Sequence, residues 1–193
     1  MASLLAKAGL LGFLLTAVSA LADEPSRLSE CTGCHGEDGY SIMMPNTPII
    51  AGIDAMVQED ALAAYKDGSR VCDDPPIMCD ISADLSDEDI TSLSAWFAAL
   101  SYVPAAEDFD AELAAAGEEI HLERCAMCHG EDEPGDPASS IIHGQPMEYL
   151  QFVLQQYVAG ERPQPMPMQD MMDGLTAEDI AALVNYYGSY RAP

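Results

Sequence analysis

Cys31-Thr32-Gly33-Cys34-His35 and Cys125-Ala126-Met127-Cys128-His129 write one pattern, C-x-x-C-H, twice into a chain of 193 residues. Four of the six cysteines and two of the four histidines belong to it. On a helix, thiols three positions apart share a face one turn long, with the next residue's imidazole beside them. This is the attachment signature of c-type haem: the thiols reach the two vinyl groups of one porphyrin, and the histidine takes the proximal side of the iron. Two other chemistries use C-x-x-C pairs, a single zinc site built from both or two redox-active dithiols. Neither explains why a histidine follows directly in both copies. The spacing predicts two covalently bound haem c groups, one on Cys31 and Cys34 with His35, the other on Cys125 and Cys128 with His129.

A sixth iron ligand has to come from elsewhere. Methionine opposite histidine raises the potential and suits electron transfer. The chain has eleven methionines, and methionine is also a common filler of core gaps, so no single one is informative alone. An internal repeat separates them. Gly52 to Gly68 and Gly144 to Gly160 are both sixteen apart, an arginine stands two residues beyond each span (Arg70, Arg162), and each is followed by a leucine that opens a final helix (Leu85, Leu175). Met78 and Met168 each lie seven residues before that leucine. They are the predicted axial ligands. Met43, Met44 and Met56 compete in the first half, and Met166, Met171 and Met172 in the second.

Cys72 and Cys79 lie outside the motifs. In an oxidising compartment, a short loop with two prolines between them reads as a disulfide that clamps the segment presenting Met78. The alternative is a thiolate that ligates iron or another metal. His121 and His143 also fall outside the motifs and read as ordinary solvated or hydrogen-bonded histidines.

These residues must be held by helices, because strand signals are almost absent. Ser86 with Asp89 and Thr176 with Asp179 form capping-box starts. Ile90, Leu93, Trp96, Phe97 and Leu100, and again Ile180, Leu183, Val184 and Tyr187, recur at helical spacing. A further helix is predicted from about Ala111 into the Cys125 motif. The fold class is all-α. Residues 1–22, with Lys7 before an apolar run and Ala20-Leu21-Ala22 before Asp23, read as a signal peptide cleaved after Ala22, which implies a periplasmic protein. The expected division is 23–100 for a first domain, 101–110 for a linker and 111–193 for a second. Domains of this size bury little core, and covalent haem would serve as their staple. Without Lys7, six basic residues face 33 acidic ones, a formal charge of −27. That excess excludes nucleic acid and anionic membrane as partners, and no later stretch is a membrane anchor. It fits either a basic docking partner or a saline medium.

Together these motifs resemble the dihaem cytochromes c built from two tandem class I domains, including the c-four type carriers. "WFAALSYVPAAEDFDAELAAAGEEIHLERCAMCH", "IIHGQPMEYLQFVLQQYVAGERP" and the "LSDEDI" helix start are more closely similar to the cytochrome subunit of flavocytochrome c sulfide dehydrogenase. The resemblance implies two domains related by a pseudo-two-fold axis, with haem propionates meeting at their interface. It also places Gly117 where a small residue lets two helices cross closely; the first half has no counterpart. The implied role is an electron-transfer subunit, not an enzyme, that accepts electrons from an FAD-containing sulfide dehydrogenase subunit and passes them to a small periplasmic cytochrome. The flavin would sit on the partner, since no G-x-G-x-x-G follows a strand here. A free-standing dihaem shuttle to a terminal oxidase and, with a Cys79 thiolate on iron, a dihaem thiosulfate-oxidising enzyme are the alternatives.

Overall fold

The computed structural model describes residues 24–72, 76–131 and 140–191, so the expected signal segment and its cleavage point lie outside it. Among the described residues every regular element is a helix, which gives the all-α architecture expected from the hydrophobic spacing. The first lobe holds α1 (Leu28–His35), α2 (Ala55–Lys66), α3 (Ile77–Ala83) and α4 (Asp87–Ala98). The second holds α5 (Ala111–Arg124), α6 (Ala126–His129), α7 (Met147–Ala159), α8 (Met166–Met172) and α9 (Ala177–Gly188). No helix among the described residues is long and apolar enough to cross a membrane.

Local chemistry starts the helices where the sequence marks them. The Ser86 hydroxyl accepts from Asp89 N–H while the Asp89 carboxylate reaches back to Ser86, and Thr176 with Asp179 repeats the arrangement at α9. Both capping boxes satisfy N–H groups that the first helical turn leaves without partners. Asp54 caps α2 and Asp110 caps α5 in the simpler one-sided way.

Each lobe builds its own core. Leu28, Leu85, Ile90, Leu93 and Phe97 form the first, and Leu150, Leu154, Met172, Leu175, Ile180, Leu183, Val184 and Tyr187 the second. In the second lobe α5 lies across α9 in the most extensive helix pairing of the molecule. Ala114, Gly117 and His121 supply the buried stripe of α5, at spacings that keep them on one face. Among the described residues the first lobe has no such long leading helix. There α1 is only eight residues, and its Leu28 enters the core while Arg27 bonds the Asp84 carbonyl.

The repeat is visible in matching loop contacts. Gly52 N–H donates to the Phe97 carbonyl and Gly144 N–H to the Tyr187 carbonyl, both at 2.9 Å, tying the same loop to the same closing helix in each lobe. The linker is held to the second lobe. Tyr102 O–H donates to the His143 carbonyl at 2.7 Å, and Ala105 N–H donates to the Gly144 carbonyl at 2.8 Å.

Candidate haem centres and the face between them

In the first lobe the motif is the body of α1 itself, with His35 as its last residue. His35 is buried, and its Nδ1–H donates to the Pro48 carbonyl at 2.9 Å. That bond fixes the tautomer and leaves Nε2 as the free lone pair, the usual way a protein orients a metal-binding imidazole. Burial lowers the His35 pKa against the opposing pull of the Pro48 carbonyl, so the ring stays in the neutral form that ligates metal. Burial also pushes the Cys31 thiol up to about 11. A buried thiol of that kind is a poor redox nucleophile, which argues against the dithiol reading.

Met78 lies half-buried on α3, and its neighbour Cys79 is joined to Cys72 by a disulfide. Cys79 therefore has no thiolate to offer a metal. Met43, Met44 and Met56 are all exposed. In the second lobe Met168 is half-buried on α8 against the core, Met172 is a core filler, and Met166 and Met171 are exposed. In the first lobe burial separates Met78 from its exposed competitors; in the second Met172 is the most buried thioether, and only the repeat singles out Met168.

The second motif is split: Cys125 joins α5 to α6, and α6 carries Cys128 and His129. The Ser140 carbonyl stands in the repeat position of Pro48 and acts on His129, which burial holds neutral, yet the buried Nδ1 closes no proper hydrogen bond. The four motif cysteines are not gathered into one tetrahedral set. Among the described residues no group of three or more His, Cys, Asp or Glu is placed to hold a metal ion between them.

Of the two histidines outside the motifs, His121 is hydrogen-bonded as expected, whereas among the described residues His143 has no such bond. Both are fully buried, with ring centroids 5.0 Å apart, between Tyr186 and Tyr187. His121 Nε2–H donates to the Gly130 carbonyl at 2.6 Å, one residue beyond the motif, so Nδ1 accepts from the Tyr187 hydroxyl at 3.0 Å. The Tyr187 phenol also pulls the Cys125 thiol pKa down against the larger upward push of burial. His143 departs from the expectation of a solvated or hydrogen-bonded ring: among the described residues neither nitrogen has a partner, and burial, with His121 and His129 nearby, lowers its pKa to about 4. Nothing in the sequence marks this pair, because the burial comes from α5 packing on α9.

Between the lobes, the two repeat arginines are brought to one buried aromatic face. The Arg70 guanidinium stacks on Tyr65 at 4.0 Å and acts across the boundary on Tyr149 and Tyr157. Arg162 lies over Tyr157 at 5.1 Å and donates to the Tyr149 hydroxyl at 3.2 Å. Among the described residues Arg70 Nε and Arg162 Nη1 are buried without hydrogen-bond partners, and neither arginine forms an ion pair. An uncompensated buried cation costs several kcal/mol, on the order of 3–5. Two of them at matching positions would be suited by an anion, and haem propionates are carboxylates. The residues present thus fit haem: paired thiols on a helical turn, a buried neutral imidazole, a half-buried thioether and guanidinium groups for the propionates.

This is a covalent-haem scaffold in duplicate, the design of a tandem c-type cytochrome. Residues 114–189 match the cytochrome c family. Over 172 residues the chain is 31% identical to the thiosulfate dehydrogenase electron acceptor of Stutzerimonas stutzeri (strain A1501), covering 82% of this chain and 78% of that protein. It is 29% identical to cytochrome c4 of Pseudomonas aeruginosa over 197 residues, 95% of this chain and 94% of that one. The structure of Acidithiobacillus ferrooxidans cytochrome c4 superposes with a TM-score of 0.73 at 25% identity, covering 83% of this chain and 99% of that one. The chain belongs to the cytochrome c family, as a dihaem member with the cytochrome c4-like fold of two tandem class I domains. It binds two covalently attached haem c groups and serves electron transfer.

Proposed function

We propose that this protein is the periplasmic electron-accepting subunit of a dehydrogenase for reduced sulfur, taking electrons from an FAD-containing sulfide dehydrogenase partner and passing them to a small cytochrome. The buried face carrying Arg70 and Arg162 is the observation that supports it most. Two lobes that present arginines for propionates on one shared face bring two redox centres within one polypeptide, as a relay requires. The bound haem supplies one-electron cycling between ferric and ferrous iron. Cys31, Cys34, Cys125 and Cys128 hold the porphyrins, with His35 and Met78 on the first iron and His129 and Met168 on the second. Closed six-coordinate sites of this kind pass electrons and do not bind substrate. The domains are 23–100 and 111–193, joined by 101–110, behind an export signal.

The FAD partner rests on the resemblance of the linker and of the Ile141–Pro163 stretch to the flavocytochrome subunit. A second reading, a thiosulfate dehydrogenase as the donor, is favoured by the relative that is itself named for that acceptor role. The formal charge of −26 for the whole chain suits a basic donor or acceptor in either case. The deciding experiment is rapid mixing of the oxidised holoprotein with each candidate donor. Reduction driven by sulfide and an exported flavoprotein supports the first reading. Reduction only by a thiosulfate dehydrogenase with thiosulfate overturns the flavin partner, and reduction by neither leaves a free shuttle to an oxidase.

A further inference from the structure

Gln145 of the second lobe grips the peptide that holds the first lobe's axial histidine. Its Oε1 accepts from Ile49 N–H and its Nε2 donates to the Ile49 carbonyl, both at 2.9 Å. Nε2 also lies 3.4 Å from the Ile141 carbonyl of its own lobe. Gln145 is 2% exposed, so these bonds are shielded from water. The Ile49 N–H and the Pro48 carbonyl are the two ends of one amide, and the Pro48 carbonyl is the acceptor for His35 Nδ1–H. When an amide N–H donates a hydrogen bond, electron density moves toward the oxygen at its other end and strengthens it as an acceptor.

We propose that Gln145 is a positioning residue for His35 acting across the lobe boundary. Through the Pro48–Ile49 amide it strengthens the bond to His35 Nδ1–H, makes Nε2 a better donor to iron, favours the ferric state and lowers the potential of the first haem. The direction follows from the general effect of an outer-shell acceptor on an imidazole ligand. This rests on the reading of His35 as the iron ligand.

The repeat makes the effect one-sided. In the register that matches Gly52 to Gly144, the counterpart of Gln145 is Ile53, and the counterpart of the Pro48–Ile49 amide is Ser140–Ile141. An isoleucine side chain cannot grip an amide, and the Ser140 carbonyl meets His129 Nδ1 with poorer geometry than the Pro48 carbonyl meets His35. The same fold, written twice, therefore carries the clamp once.

The test is a redox titration of the Gln145→Met holoprotein that resolves the two haems. The expected result is an upward shift of the first haem's midpoint with the second unchanged, while both methionine–iron charge-transfer bands persist. Unmoved potentials, or both shifted together, would overturn the proposal. Should the variant fail to mature, proton NMR of the reduced wild type decides. His35 Nδ1–H should exchange more slowly and resonate further downfield than His129 Nδ1–H, and equal behaviour sinks the idea. A His35→Ala control examines the ligation separately: loss of one low-spin haem spectrum supports it, whereas two intact low-spin spectra would overturn both the ligation and the clamp.

Discussion

Gly117 and Ala182 meet where α5 crosses α9: a Cβ on Gly117 would lie 2.5 Å from the Ala182 carbonyl carbon and 2.8 Å from the Tyr186 Cβ. These are backbone and first side-chain atoms, so neither can swing aside as a flexible side-chain end would. The closeness of this crossing also sets the height of His121 and of Cys125, which follow one and two turns later on α5.

Gly117→Ala should therefore destabilise the holoprotein by about 3 kcal/mol, the upper part of the range for overpacked interiors. Gly33 provides the contrast, since nothing lies within 4 Å of its virtual Cβ. Gly33→Ala, at an open position within helix α1, should leave the guanidinium midpoint unchanged or raise it, by up to about 1 kcal/mol of stability. Equal midpoints for the two variants would show that the α5–α9 crossing is not tight.

The axial assignment makes a spectroscopic prediction. Met78→Ala and Met168→Ala should each abolish one of two methionine–iron charge-transfer bands in the oxidised protein and lower one midpoint potential, because loss of the thioether removes its preference for ferrous iron. Met172→Ala should instead cost stability, about 2–5 kcal/mol for a buried methionine, with both bands intact. The double change of Cys72 and Cys79 to Ser should weaken only the Met78 band, since the disulfide brackets that helix alone.

The capping boxes carry a pH dependence whose sign is set by their carboxylates. The Ser86 hydroxyl, followed by its N–H, holds Asp89 below its ordinary pKa of 3.8; the Thr176 N–H, followed by its hydroxyl, does the same for Asp179. A carboxyl that is more acidic folded than unfolded stabilises the fold above the unfolded pKa. It loses that contribution as pH falls through the depressed folded value. The Tm gap between the wild type and an Asp89→Asn, Asp179→Asn double variant should thus be full near neutrality and close as pH drops below 3.8. A gap that stays constant down to that range would refute the ionic role. Ser86→Ala should cost about 1 kcal/mol near neutrality and less once Asp89 is protonated, because the hydroxyl's bond to the ionised carboxylate is part of what is lost.

Spacing along the chain made the two haem motifs, both capping boxes and the helical class readable in advance, and it supplied the axial proposal for Met78 and Met168. All of these are local: they follow from a helical period of 3.6 residues, from bonds between a cap and its third neighbour, or from comparing one half of the chain with the other. Gly117 was legible through resemblance, and the distance to Ala182 gives its cause.

Other features had no local signal. Gln145 and Ile49 are 96 residues apart, and a glutamine in "HGQPMEY" has no feature that distinguishes it from a surface residue. Arg70 and Arg162 were recognisable as a repeated pair, but their shared burial among Tyr65, Tyr149 and Tyr157 arises only when one lobe docks on the other. His121 and His143 likewise look unremarkable until α5 lies on α9 and shuts them from water. Helix identity is encoded over a few residues, whereas the partner of a buried amide, cation or imidazole depends on which surfaces pack together, and that packing closed one lobe's clamp on His35 while leaving His129 without its equal.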